Sequence, residues 1–520
     1  MSKKWTKRFC LGAAFMAAAA MLCTGCGGEQ KKDGGSASSG KKIVMARAND
    51  SSNLDPMMAV HNDDLWMMNL MVEGLVKSDD AGKTIQPCLA EKWDISADGL
   101  TYTFHLKKGV KFSDGKDVTT DDWIYSLKRI RDTKDGAWGF TMENMADVTA
   151  PDANTLVITL KKPSSAFLSD LSLFANAVMP KAYCEQKGPE GIAQNPVGTG
   201  PFMLKQWDKG QKMVFVKNPN YHEKDKPITD EIDINVVPDD NTRIMQLQGK
   251  QIDIASDIPF NRISELKGAS GVKMELVPST ESDYISFNYK NPKFADVRVR
   301  QALAYALDRQ AIIDAVFFGN AKINNTFISP AAPHFNANVT PRDYNQEKAK
   351  QLLAEAGASN LSIDFLVYSG NTRDIQVVTM LKEQWSKIGV NVNIQQVDSS
   401  VFKQSRNALK YDMLLSMLTS DITDTSELVE LICVAKMSDS QHTGWNGTLQ
   451  QQAESLVKKA AVSTDENERK TLYGQAMQLV QDDQLIIPLY NVPYAIAISD
   501  QIKGFVQTPL GNYRFENLTK

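Results

Sequence analysis

The 520-residue sequence predicts an α/β protein built on mixed sheets. Three observations lead there. Segments with a two-residue apolar repeat alternate with segments of helical repeat along most of the chain. Apolar residues make up 42% and charged residues 23%, a balance that excludes bulk disorder and a coiled coil. At ~100–200 residues per domain, the length calls for roughly three domains around sizeable cores.

The N-terminus reads as an address. Met1–Arg8 is basic, and Phe9–Leu22 is an unbroken apolar run, shorter than the ~20 residues of a membrane-spanning helix. Thr24 and Gly25 then precede Cys26 in a pattern that resembles a bacterial lipobox, with Cys23 where the usual leucine stands. The expectation is a signal peptide over 1–25, lipidation of Cys26, and an exported protein anchored on the extracytoplasmic face of a membrane or in a periplasm. An ordinary secretory signal is the alternative. Residues 26–42 carry almost no apolar side chain and are expected to form a flexible tether. The signal removes four of the 58 basic side chains and none of the 62 acids. The acidic remainder argues against a general nucleic-acid binder. Cys88, Cys184 and Cys433 are left, odd in number and far apart, and are expected to be buried free thiols.

The body of the chain can be followed in order. Thr101–Leu106 alternates, with Tyr102, Phe104 and Leu106 on one face and His105 on the polar one. Gly109–Lys116 has one residue too many for a Walker loop, and Asp117 stands where Ser or Thr would hold magnesium, so it reads as a hairpin turn. Thr119–Asp122 caps a helix carrying Ile124, Leu127 and Ile130. Leu156–Leu160 is a strand. Gly198 and Gly200 flank Thr199 ahead of Pro201, which suits a tight backbone entry into a strand. A helix after Asp296 buries Val299, Leu303, Ala306 and Leu307 and leaves Arg298, Arg300 and Arg309 outside. Ile375, Val378, Leu381, Trp385 and Ile388 mark a helix that passes through Gly389 into the strand Val390–Val397. Helices over Leu449–Ala461 and Glu466–Asp482 follow.

No HExxH, GxSxG, GxGxxG or Walker motif occurs, and the five histidines are scattered. Adjacent acids such as Asp63-Asp64, Asp121-Asp122 and Asp239-Asp240 point in different directions and read as caps or loops. No catalytic residue, metal site or cofactor is expected. A large exported chain of this kind reads as a binding protein.

Seven segments carry a more specific signal: Leu54-Asp55-Pro56 with Val72–Val76, Leu89–Gly115, Asn195–Phe202, Trp207 with Gly210, Asn218 and Tyr221, Asp296–Arg309, Ala349–Gly357 and Leu485–Tyr490. In this order they resemble the extracellular solute-binding proteins of peptide/nickel-type ABC importers (solute-binding family 5), which include the dipeptide- and oligopeptide-binding lipoproteins. The resemblance implies a two-lobed periplasmic-binding-protein-like fold with mixed sheets, a hinge of two crossovers, and an extra small domain inserted in the first lobe. Mapped here, lobe I would use 43–80, 193–275 and 486–520, the insert 81–192, and lobe II 276–485. The hinge would lie near Tyr284–Asn288 and Pro488–Tyr490. Closure would bury a ligand and present it to permease subunits coupled to an ATPase, with the protein acting as a monomer.

The ligand readings also follow from the resemblance. Leu418–Thr425 stands where the peptide-binding branch has roughly Trp-x-x-Asp-x-x-Asp-Pro, whose first Asp pairs with a peptide α-amino group. Asp421 and Asp424 keep the acids, while Leu418 and Thr425 replace the Trp and Pro. A buried ammonium needs such a paired carboxylate. Cys433-Val434-Ala435 and Trp445-Asn446 resemble the same branch, with Asn446 in place of a second cysteine, so Cys433 should be unpaired. Arg373 is the candidate for a peptide carboxylate. Trp138 falls where the nickel branch places a cleft tryptophan, but Leu171–Pro180 lacks the arginine expected there. The candidate ligand-binding residues are therefore Asp421, Asp424, Arg373, Trp445 and Trp138. The first function expected is capture of short peptides for an ABC importer. The alternatives are a chelated nickel complex or another small solute on the same fold, or a peptide-sensing or pheromone receptor.

Overall fold

A computed structural model describes residues 41–520 apart from Lys436. The signal peptide, Cys26 and nearly all of the expected tether lie outside the described residues. The tether's last residue, Lys42, already begins a strand. Among the described residues no helix is long and apolar enough to cross a membrane.

Three sheets organise the chain. The largest has seven strands in the order Val272–Val277, Tyr494–Ser499, Ile254–Ala255, Lys42–Arg47, Glu231–Val236, Lys212–Lys217 and Phe202–Asp208. Lys42–Arg47 runs parallel to both its neighbours, and the remaining pairs are antiparallel, so the sheet is mixed. A second mixed sheet has six strands: Lys322–Ile323, Ile486–Asn491, Ser282–Phe287, Met413–Leu418, Ser362–Tyr368 and Asn391–Val397. A four-stranded antiparallel sheet comes from Ala90–Leu160.

The cores follow from the strand period of two. Ile43 and Met45 face one cluster, which also takes in Phe104, Trp123 and Ile158, so the small sheet and one face of the large sheet share a core. Val44 and Ala46 face a second cluster on the opposite side. In the six-stranded sheet, Ile285 and Phe287 face one layer of helices and Tyr284 the other.

Several local readings are seen directly. Thr119 and Asp122 form a reciprocal capping box at the start of the helix Thr120–Asp132. Asp296 caps Val297–Tyr305. Gly389 takes a φ of +83° between the helix Thr372–Ser386 and the next strand. At Gly198 and Gly200 a Cβ would lie 2.3 and 2.6 Å from the carbonyl oxygens of Met71 and Leu70, a closeness only glycine permits. Cys88, Cys184 and Cys433 are free and buried.

Two readings are corrected. Arg300 is not outside but 1% exposed. Its guanidinium donates to the Asp483 carboxylate at 2.6 Å and the Asp483 carbonyl at 2.9 Å, just beyond the helix Glu466–Asp482. Arg309 is likewise drawn inward, onto the carbonyls of Asn324 and Pro488. The crossovers are also displaced from the expected hinge. Ser282–Phe287 is buried along its whole length inside the six-stranded sheet, and so are its partners Ile486–Tyr490. The chain passes between the two large sheets at 278–281 and again at Val492–Pro493. Ile486–Asn491, expected in the first lobe, hydrogen-bonds within the six-stranded sheet.

Candidate ligand-binding cleft

The loop Ser420–Thr425 leaves the strand Met413–Leu418 beside both crossovers and leads into the helix Ser426–Cys433. Its shape is fixed by short-range bonds. Thr280 on the first crossover accepts from the Ser420 amide at 3.0 Å. Glu427, in the first turn of the helix, folds back so that its carboxylate accepts from the amides of Asp421 at 3.0 Å and Ile422 at 3.4 Å. Ser169, from the helix Phe167–Leu171, donates to the Thr423 carbonyl at 3.0 Å. The loop is thus pinned to the six-stranded sheet on one side and to the helix Phe167–Leu171 on the other.

Asp421 stays partly accessible although protein surrounds it. Burial pushes its carboxyl up to about 6, against a hydrogen bond with Glu427 that favours ionisation. Glu427 is pushed up too, by burial first and by the Asp421 charge second. No cation among the described residues forms an ion pair with either group. Two carboxyls so close, in a low-dielectric pocket, hold a shared proton until a cation arrives.

An aromatic wall stands near Asp421. Tyr494 follows the second crossover, and burial, then the charges of Glu281 and Asp421, raise its phenol. Trp66 packs edge-on against Tyr494 at 5.1 Å and against Tyr513 at 6.2 Å. Gly511, at φ +88°, makes room for it: a Cβ there would lie 2.0 Å from the Trp66 indole nitrogen.

The other sequence candidates lie elsewhere or are otherwise engaged. Asp424 is buried and takes both of its oxygens to Arg469, at 2.7 and 2.6 Å, while accepting from the Ser426 amide. Trp445 is a core side chain whose indole donates to Asp483 at 2.6 Å. Trp138 donates to the Ala59 carbonyl at 2.7 Å and packs edge-on against Phe174. Arg373 stands near the first crossover, but Glu281, Asp283 and Asp374 lie 3.3, 3.4 and 3.3 Å from it. Of the five, only Asp421 offers a charge without a counter-charge. Sequence reasoning missed Glu427, Trp66 and Tyr494. Glu427 is six residues past Asp421, and the two aromatics are more than 400 residues apart, so no local spacing marks them together.

Two large mixed sheets joined by two crossovers, with aromatic rings and a carboxyl pair without a cation beside the crossovers, suit a solute-binding protein of the two-lobed class. Comparison with known proteins agrees. Residues 84–437 match the family of bacterial extracellular solute-binding proteins, family 5 Middle, and the chain belongs to that family. It is 29% identical over 464 residues to the dipeptide-binding protein of Escherichia coli K12, covering 83% of this chain and 86% of that one. It is 30% identical over 468 residues to heme-binding protein A of Haemophilus influenzae, covering 84% of each. The DppA structure from Helicobacter pylori, in complex with the peptide STSA, superposes with a TM-score of 0.78 at 25% identity, over 92% of this chain and 98% of that one. The fold is therefore the two-lobed binding-protein fold that the sequence motifs resemble. The family consists of extracytoplasmic substrate-binding proteins of transport systems.

Proposed function

We propose that this protein captures short peptides by closing its two lobes over them and delivers them to the permease of an ABC importer. The observation that carries this reading is the Asp421–Glu427 carboxyl pair in the cleft, with no cation paired to it. An α-ammonium is the chemistry that answers it. Backbone groups at the crossovers would hold the peptide main chain, with Tyr494 and Trp66 against its side chains. The dipeptide-binding relative and the peptide-bound neighbour support the class of cargo. No chemical step is involved. Cys26 would carry a lipid that anchors a monomeric protein outside the membrane.

A second reading keeps the fold and changes the cargo, because the heme-binding relative is as similar as the dipeptide-binding one. The Asp421–Glu427 pair favours the peptide, because an ammonium answers two carboxyls that no cation among the described residues pairs with. Isothermal titration with Ala-Ala-Ala tests it. Asp421→Asn should cost ~2–5 kcal/mol of affinity, the range for one partner of a buried charge pair. Unchanged affinity in this variant removes Asp421 from the site.

A further inference from the structure

Five carboxyl groups gather where the helix Phe167–Leu171 meets the loop Ser420–Thr425 and the helix behind it: Asp170, Asp421, Asp424, Glu427 and Glu430. Burial, and then the charges of Asp424 and Glu430, hold Asp170 well above the usual carboxylate range. Two cations face the group. Arg469 is committed to Asp424 and Glu466, and Lys162 acts on Glu430. Asp170, Asp421 and Glu427 are left with no cation among the described residues. The Asp170 carboxylate accepts no hydrogen bond from any described group.

The loop gives a second, independent sign that something belongs here. The hydroxyls of Ser420 and Thr423, on residues 1% and 5% exposed, lie on either side of Asp421 in the chain and have no hydrogen-bond partner. Thr423 sits at the seam itself, since its carbonyl takes the Ser169 hydroxyl next to Asp170. Buried hydroxyls are nearly always paired in a finished structure. Arg373, the nearest candidate for an anionic ligand group, is already surrounded by three acids. Three carboxyls without a cation are more than one ammonium can pair with.

Resting on the peptide reading above, we infer that the cleft selects a ligand with two positive charges close together: a short peptide whose first residue is basic. Its α-ammonium meets Asp421, and its side-chain cation lies between Glu427 and Asp170. A neutral first residue leaves Glu427 and Asp170 protonated in a poorly solvated seam with no cation to draw out an ionised form, and an acidic one opposes ionisation further. A basic first residue lets one of the two ionise and pair with it, and ties the inserted region to the loop.

The test is isothermal titration of the purified, ligand-stripped protein at pH 7.5 with Lys-Ala-Ala, Ala-Ala-Ala, Ala-Ala-Lys and Glu-Ala-Ala. Lys-Ala-Ala should bind at least tenfold more tightly than any of the other three. Asp170→Asn and Glu427→Gln should each cut its advantage over Ala-Ala-Ala below threefold. Both variants keep the shape of the side chain and remove a buried ionisable group, so their empty forms should melt at or above the wild-type temperature. Equal affinities for Lys-Ala-Ala and Ala-Ala-Ala, both lost in Asp421→Asn, would overturn the dication and leave the peptide reading standing. A lysine preference that survives in both variants would overturn the roles of Asp170 and Glu427. Binding of none of the four peptides would overturn both readings.

Discussion

Changing the pH across the titration of Asp421 should move ligand affinity and empty-protein stability in opposite directions. Burial raises this carboxyl from 3.8 to about 6. The folded value exceeds the unfolded one, so the ionised group is a cost to the empty protein. That cost reaches up to about 3 kcal/mol above pH 6, shrinks as the pH falls through 6, and vanishes near 3.8. Ligand binding has the reverse sign, because an ammonium pairs only with the ionised carboxyl. About nine-tenths of the sites are ionised at pH 7 and about one-tenth at pH 5, so affinity should fall roughly tenfold over that interval. The proton is shared with Glu427, so the midpoint belongs to the pair. Titration calorimetry with Ala-Ala-Ala in buffers of different ionisation enthalpy reads both the affinity and the proton released on binding. Thermal melts of the empty protein over the same range read the stability. Affinity that stays flat from pH 5 to 7.5, with no proton released near pH 6, would refute the reasoning.

Two further perturbations test the frame around the site. Arg469→Met leaves Asp424 buried without its partner and should cost ~3–5 kcal/mol in urea unfolding, with part of the loss recovered when Asp424→Asn is added. A loss under about 1 kcal/mol would contradict the pairing. Gly511→Ala sets a Cβ against the Trp66 ring at a φ that other residues adopt with strain, so it should cost ~1–3 kcal/mol and shift the tryptophan fluorescence. An unchanged spectrum and stability would show that Trp66 does not rest on that glycine.

Much of the scaffold is legible because its signals are local. Thr119 and Asp122 sit three residues apart and satisfy each other's backbone, so the start of a helix is written in four letters. Thr101–Leu106 alternates, and the strand has those bounds. Gly198 and Gly200 announce a close approach without naming the carbonyls of Met71 and Leu70 that they meet. What fails is long-range. Arg300 lies on a helix whose pattern alone does not show that Asp483, 183 residues on, stands opposite it. Asp424 and Asp421 look alike in the sequence, and only the position of Arg469 separates a closed ion pair from an open carboxyl. The aromatic wall joins Trp66 to Tyr494 only because the chain's last long strands cross from one sheet to the other at Val492–Pro493. The crossovers lie a few residues from the expected hinge for a related reason: the apolar runs around Tyr284 and Pro488 mark buried strands, and the bends lie just beyond their ends.

The central claim is that the cleft holds peptides through their amino end. A native mass spectrum of the protein as purified from cells tests it most directly. The account predicts a spread of added masses that denaturation resolves into short peptides, and their loss in Asp421→Asn. A single discrete adduct, or a metal isotope pattern, would contradict it and leave the fold carrying a different cargo.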